Sequence, residues 1–159
     1  AVDMFLKIEP LKGESQDDAH KDEIDILAWS WGMSQSGTTH MGGGSGAGKV
    51  NVQDISFTKY VDNSSTDMMK FCTTGDHITE ATLTVRKAGG TALEYIILVM
   101  KDLIVSSVST GGSGGEDRLT ENVSLNFGSY EIKYTPQTKE GTPGTETEWK
   151  WDIAANKEL

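Results

Sequence analysis

The sequence predicts a mainly β protein, a compact β-barrel of two packed sheets with one flanking α-helix. Runs of alternating apolar and polar residues recur along the chain, separated by turn signals, whereas apolar residues at helical spacing occur in one segment. The length of 159 residues suits one domain with a substantial core. We therefore expect residues 1–159 to form a single domain.

The first half of the chain predicts three strands. The first carries the alternating residues Val2, Met4, Leu6 and Ile8. The second runs from Ile24 to Met33, with Leu27, Trp29, Trp31 and Met33 on one face. Its other face carries Ile24, Ile26 and Ala28, and becomes small and polar at Ser30 and Gly32. In the third, from Val50 to Val61, the apolar residues switch from even to odd positions along the strand, so we expect a bulge near Gln53.

The segment from Asn63 to Gly75 is the predicted helix. Ser64 and Asp67 resemble a capping box, and Gly75 is a natural helix stop. One apolar stripe is formed by Met68, Phe71 and Cys72. Cys72 is therefore predicted to be a small core residue, and a single cysteine excludes an internal disulfide.

The second half predicts further strands. In the run from Thr79 to Ala88, the inward residues are Ala81, Leu83 and Val85, and Gly89-Gly90 is a hairpin turn signal. Residues 92–110 are strand-like and apolar on both faces, so this strand either bends across two sheets or reaches outside its own subunit. Three shorter strands follow, at residues 123–127, 130–134 and 149–153, and residues 136–144 form a loop.

The segment from Met41 to Gly48 is dominated by glycine and has few side chains with which to order itself. It is either a mobile surface loop or a segment that a partner orders. Gly43, Gly48 and Lys49 fit a phosphate-binding loop, but position 50 is Val where Mg²⁺ needs a hydroxyl, and a strand pattern follows where a helix is needed. We therefore predict no nucleotide cofactor.

Composition and motifs exclude several functions. The formal net charge of -10 disfavours binding to nucleic acid or to an anionic membrane surface, and the N-terminus carries no signal segment. His20, His40 and His77 are scattered, which predicts no metal site. Gly111–Gly115 fits G-x-S-x-G, yet no histidine follows Ser113. We expect neither a catalytic site nor a cofactor.

A mixed-sign charge cluster lies beside this second glycine-rich loop. Its members are Glu116, Asp117, Arg118 and Glu121. Two interpretations stay open: a solvated turn, or a subunit contact in which charge fixes the register of the partners.

Several stretches together resemble the Hcp (haemolysin-coregulated protein) family of type VI secretion. They are LAWSWGMSQSG, GKVNVQDISFTKYVD, TVRKAGG and VSSVSTGGSGGEDRLTENVSLNF, in the family's order. The similarity runs to about Tyr134, and residues 135–148 match least. The resemblance implies a β-barrel with a flanking helix, assembled into hexameric rings that stack into an exported tube. It also implies a VgrG-type spike, a contractile sheath and small effector proteins as partners.

On this interpretation the subunit is made in the bacterial cytoplasm, is exported without a signal peptide and carries no C-terminal effector extension. Small residues opposite the tryptophans would leave open space in the lumen, so the predicted effector contacts are Ala28, Ser30 and Gly32. The predicted ring-stacking or subunit-interface loop comprises Met41, Gly42, Gly43, Gly44, Ser45, Gly46, Ala47, Gly48 and Lys49.

A β-sandwich module that binds a ligand such as a sugar is the alternative. An exposed Trp149 or Trp151 would then be its platform. Mass measurement under native conditions separates the two functions, because a tube subunit forms a ring and a binding module stays a monomer.

Overall fold

The computed structural model describes residues 1–37, 48–88 and 92–159. Within them, strands and a single helix follow in chain order: β1 (Val2–Lys7), β2 (Ile24–Ser30), β3 (Met33–Ser34), β4 (Asn51–Val52), β5 (Ile55–Tyr60), α1 (Ser65–Thr74), β6 (Ile78–Lys87), β7 (Leu93–Thr110), β8 (Thr120–Tyr134), β9 (Thr147–Asp152) and β10 (Lys157–Glu158).

Eight of these strands form one antiparallel sheet in the order β10-β9-β8-β5-β2-β1-β6-β7. A further pairing of β7 with β8 closes six of them, β8-β5-β2-β1-β6-β7, into a barrel. The predicted mainly β barrel with one helix is confirmed, although a single sheet closes on itself where two packed sheets were expected. Closure gives each barrel strand a partner strand on either side, and the inward side chains fill the interior.

A bulge in β2 corrects the predicted faces of this strand. The pairing of β2 with β5 shifts between Ile26 and Ala28, so residues before and after Leu27 change sides. Ile24 and Ile26 are buried, Leu27 is exposed, and Trp29 packs against the core. The expectations that Leu27 shares the tryptophan face and that Ile24 and Ile26 share the face of Ala28 were therefore wrong, whereas Ala28 and Ser30 point away from Trp29 as predicted.

The predicted third strand is divided into two. β4 pairs with β3 in a separate small sheet, and β5 enters the barrel after a break at Gln53 and Asp54. Trp31 Nε1 donates a hydrogen bond to the Gln53 carbonyl, 2.9 Å away, which ties the break to the end of β2. The prediction of a bulge near Gln53 was therefore wrong, and the apolar positions switch because the strand breaks there.

The long strands pair with other strands of the same subunit. β7 pairs with β6 along one edge and with β8 along the other, and its pairing with β8 shifts between Val105 and Ser107. Residues 120–134 form a single strand where two short ones were predicted. Gly89-Gly90 lies outside the described residues, but the two strands on either side of it pair antiparallel as the hairpin prediction requires.

The helix α1 packs on β7 through its predicted apolar stripe. Met68 is fully buried, and Phe71 and Cys72 pack against the core. Gly75 ends the helix in the left-handed conformation (φ 70°), as predicted. The capping box is absent, because the Ser64 hydroxyl donates to Asp62 Oδ1 and caps no helix N–H.

Candidate functional site

The predicted contact residues of β2 lie on the outer wall of the barrel. Ala28 and Ser30 are exposed and point away from the core that Trp29 contacts. Gly32 follows the end of the strand and is half-buried, and a Cβ there would lie 3.5 Å from Gln53 Oε1. The structure therefore places Ala28 and Ser30 on one surface, with Gly32 at its margin.

Pairing across four strands extends this surface into two rows, which we call the neutral face. Residues directly opposite each other in neighbouring strands point to the same side of a sheet. The first row is Ser30, Ser56, Ser124 and Ser107, and the second is Ala28, Thr58, Asn122 and Ser109. None of these side chains is charged, although Asp and Glu outnumber Lys and Arg by 24 to 14 in the chain.

Hydrogen bonds join neighbouring strands within the neutral face. The hydroxyls of Ser56 and Ser124 lie 3.1 Å apart, and Thr58 Oγ1 donates to Asn122 Oδ1 at 2.7 Å. Sequence reasoning found Ala28 and Ser30 but missed the residues of β5, β7 and β8. Their polar alternation was visible, but the register that brings them beside Ser30 depends on contacts between distant segments.

Most of the predicted interface loop cannot be placed. Met41–Ala47 lie outside the described residues, whereas Gly48 is half-buried and Lys49 is exposed. Residues 48–50 lead into the strand β4, so the helix N-terminus that a phosphate-binding loop needs does not follow them. The Gly111–Gly115 segment likewise lies between two strands, β7 and β8, where a nucleophile elbow would require a helix.

The charge cluster at the start of β8 separates into two parts. Glu116, Asp117 and Arg118 are exposed, and the Arg118 guanidinium lies 3.6 Å from the centre of the Tyr60 ring. Glu121 is only 1% exposed and points into the protein, so its prediction as an interface charge was wrong. The cause is strand alternation, which turns position 121 inward beside Lys59 on the paired strand.

Lys59 and Glu121 form a buried ion pair under the start of α1. Lys59 Nζ lies 2.5 Å from Glu121 Oε2 and 3.0 Å from Asp62 Oδ1, and the side chains of Lys59 and Glu121 are fully buried. The Ser65 hydroxyl accepts from Lys59 and donates to Glu121 Oε2 at 2.6 Å. This network joins β5, β8 and the first residue of the helix.

A second, partly buried charge centre lies between the connection before β2 and the start of β7. His20 Nδ1 is 2.9 Å from Glu23 Oε1, and its Nε2 is 2.7 Å from Glu94 Oε1. The ring stacks on Phe5 at a centroid distance of 4.4 Å. Burial opposes protonation, but the hydrogen bonds to Glu94 and Glu23 outweigh it and raise the pKa of His20 above its ordinary value.

An aromatic cleft lies at the other end of β8, beside the edge of the sheet. It has a volume of about 330 Å³, and the lining residues that define it here are Met33, Tyr130, Trp149 and Trp151. The two indole rings are stacked 5.9 Å apart, and Trp149 Nε1 donates to the Tyr130 hydroxyl at 3.2 Å. That hydroxyl in turn donates to Met33 Sδ. Burial raises the pKa of Tyr130 even though the hydrogen bond from Trp149 lowers it, and the raised pKa keeps the phenol neutral.

The candidate sites in the described part of the chain are surfaces, and no metal-binding site is among them. Among residues 1–37, 48–88 and 92–159, no group of three or more His, Cys, Asp or Glu side chains is placed to hold a metal ion. None of the helical residues described forms a helix long and apolar enough to cross a membrane. The described residues form a closed barrel with a neutral outer face, an exposed charge cluster and an apolar cleft, which are surfaces suited to contacts with other protein chains.

Comparison with known proteins identifies the family. The chain belongs to the Hcp family, because the family model described as type VI secretion system effector, Hcp, matches residues 5–134. The chain is 60% identical to Protein hcp1 of Pseudomonas aeruginosa over 158 residues, which is 98% of either chain. The Hcp1 crystal structure from Salmonella typhimurium is 38% identical and superposes with a TM-score of 0.82, covering 100% of this chain and 99% of that one.

A solved structure described as a type six secretion system protein is 27% identical, with a TM-score of 0.93 and complete coverage of both chains. These matches make the chain a secreted tube subunit of the type VI secretion system and a structural protein of that system. None of them supports the sugar-binding alternative.

Proposed function

We propose that six copies assemble into a ring with a central pore and that rings stack into a tube. A VgrG-type spike caps this tube and a contractile sheath propels it. The observation that carries the proposal is membership of the Hcp family, with a 60% identical relative matched over 98% of the chain. The six barrel strands pair with one another inside one subunit, so assembly uses preformed surfaces. The subunit resides in the bacterial cytoplasm before firing.

The neutral face lines the pore and contacts the effector proteins that the tube carries. Ala28 and Ser30 occupy one edge of that face, and Gly32 lies beside it. Small side chains leave the pore open. A wall without charge repels neither acidic nor basic cargo. A charged wall would instead favour cargo of the opposite sign through electrostatic complementarity.

Replacing Ser30 with Gln tests this assignment. We expect Ser30→Gln to keep the native ring mass and to change which co-expressed effector remains bound. The matched control is Thr66→Gln, which places the same side chain on an exposed position of α1, away from the neutral face. Loss of the ring in Ser30→Gln would place Ser30 in a packed interface. Unchanged retention in both variants would remove Ser30 from the cargo surface.

The loop Met41–Lys49 is proposed to contact a neighbouring subunit or the next ring, since its composition gives it few side chains with which to order itself. Deleting Gly42–Gly46 should leave rings largely formed and weaken their stacking. Ring mass, tube formation by electron microscopy and export are compared with the full-length chain. Normal tubes and export would show that the loop is a solvated connection, and loss of rings would place it in the lateral interface.

A further inference from the structure

The connection between β1 and β2 contains a loop that folds back on the barrel without joining a strand. Its ends meet where the Ser15 N–H donates to the Glu23 carbonyl at 3.0 Å. We call the residues between them, 16–22, the side loop. None of them takes part in the pairing of β1 with its neighbours β2 and β6. The side loop is therefore held on the barrel by its side chains and not by strand pairing.

Two side chains fasten the side loop to the barrel. Asp17 accepts two hydrogen bonds from the Arg86 guanidinium of β6, at 2.6 and 2.9 Å. His20 contacts Glu94 of β7 at 2.7 Å, and its ring stacks on Phe5 of β1 with 4.4 Å between the ring centres. Arginine stays charged in proteins, whereas histidine gains or loses its charge near neutral pH. The side loop thus has one anchor that pH leaves unchanged and one that titrates.

The contacts of His20 require a charged ring. Its Nδ1 lies 2.9 Å from Glu23 Oε1 and its Nε2 lies 2.7 Å from Glu94 Oε1. An ionised carboxylate only accepts hydrogen bonds, and a neutral imidazole has a single N–H to donate. A neutral ring can therefore satisfy one of these two contacts, while the other brings two acceptors together. Since His20 is only 8% exposed, solvent is poorly placed to relieve that conflict.

The other charged groups around His20 are mostly acidic. Among the described residues they comprise three further carboxylate partners and neighbours and one cation: Glu23 and Asp17 from the connection before β2, Glu94 from β7 and Arg86 from β6. Arg86 also lies 5.0 Å from the centre of the Phe5 ring and binds Asp3 of β1, so it is already shared between two carboxylates. Loss of the charge on His20 therefore leaves Glu23 and Glu94 without a cationic partner at their shared contact.

We propose that His20 is a pH-sensitive latch, which holds the side loop on the barrel while its ring is charged and releases it when the ring is neutral. Release uncovers the ring of Phe5, which is 4% exposed when the side loop is docked. The barrel itself stays closed, because its strand pairs do not include residues 16–22. All the contacts of the latch lie within one subunit, so it does not depend on the proposed assembly into rings.

Hydrogen–deuterium exchange with mass spectrometry tests the latch at pH ~6 and pH ~8.5, on either side of the ordinary histidine pKa. The N–H groups of His20 and Glu23 donate to the carbonyls of Asp17 and His20, so their exchange reports opening of the side loop. Rates are corrected for the intrinsic effect of pH on exchange. We expect opening about tenfold more frequent at the higher pH, because one charge-assisted hydrogen bond is lost. Peptides from β8 should be equally protected at both pH values.

Three variants, each checked for folding by circular dichroism, assign the effect to His20. His20→Gln removes the titrating ring and should abolish the difference between the two pH values. The matched control is His77→Gln, which removes an exposed histidine bonded to Asp102 and should keep the wild-type difference. Glu94→Gln supplies an amide that can accept from a charged ring or donate to a neutral one. It should keep the side loop docked and reduce the pH effect.

Several outcomes would overturn the latch. One is equal opening of the side loop at both pH values in the wild type. Another is an undiminished pH effect in His20→Gln or in Glu94→Gln. Equal opening of β8 peptides would also overturn it, because the pH effect would then belong to the whole fold. If His20→Gln fails to fold, the comparison of Glu94→Gln with the wild type decides by the same criterion.

Discussion

Replacing Lys59 with Met should destabilise the fold severely. The substitution removes the only positive charge of the buried network and leaves Glu121 and Asp62 facing each other across its place. The Lys59 and Glu121 side chains are 0% exposed, so solvent cannot replace the lost partner. Breaking a buried ion pair by removing one member costs about 3–5 kcal/mol. For a domain of this size that loss lowers Tm by about 6–20 °C.

The assay is thermal unfolding followed by circular dichroism, with all variants at one protomer concentration because assembly shifts apparent stability. The control is Lys101→Met, which removes an exposed lysine 3.9 Å from Glu80 and should cost less than about 1 kcal/mol. Replacing both partners, Lys59→Met with Glu121→Leu, should recover much of the loss because no unpaired charge remains at position 121. Equal Tm values for Lys59→Met and Lys101→Met would refute this reasoning.

Two further predictions follow from buried contacts. The pKa of His20 is higher in the folded protein than in the unfolded chain, where it is ~6.5. The bonds of His20 to Glu94 and Glu23 therefore stabilise the fold fully at a pH below the unfolded pKa, and this stabilisation is lost as pH rises through the folded pKa. The Tm advantage of wild type over His20→Gln should therefore be larger near pH ~6 than near pH ~8.5, and a constant difference would contradict the charged pair. In Gly13→Ala the new Cβ would lie 2.5 Å from the Glu23 carbonyl oxygen, so stability should fall by about 1–3 kcal/mol in urea unfolding. Gly111→Ala serves as the control, because its new Cβ would lie in open space. Equal urea midpoints for the two variants would argue against the close approach of residue 13 to the Glu23 carbonyl.

The sequence predicted the features that depend on local periodicity. The apolar stripe at Met68, the helix stop at Gly75 and the inward residues of β6 follow from neighbours within a few positions, and the structure confirms them. The family resemblance was equally readable, because its motifs are continuous stretches of chain. The opposite orientation of Ser30 and Trp29 was also predicted, and it holds because the strand after the bulge keeps its alternation.

The tertiary structure decided which distant residues meet. The bulge at Leu27 is invisible in the sequence pattern, since it depends on how β2 pairs with β5. Glu121 looked like an exposed charge beside Arg118, but pairing of its strand with that of Lys59 buries it. Ser124 joins Ser30 on the neutral face only through the register of two strand pairs. Periodicity sets the face of each residue within one strand, whereas register and barrel closure are set by contacts between segments far apart in the chain.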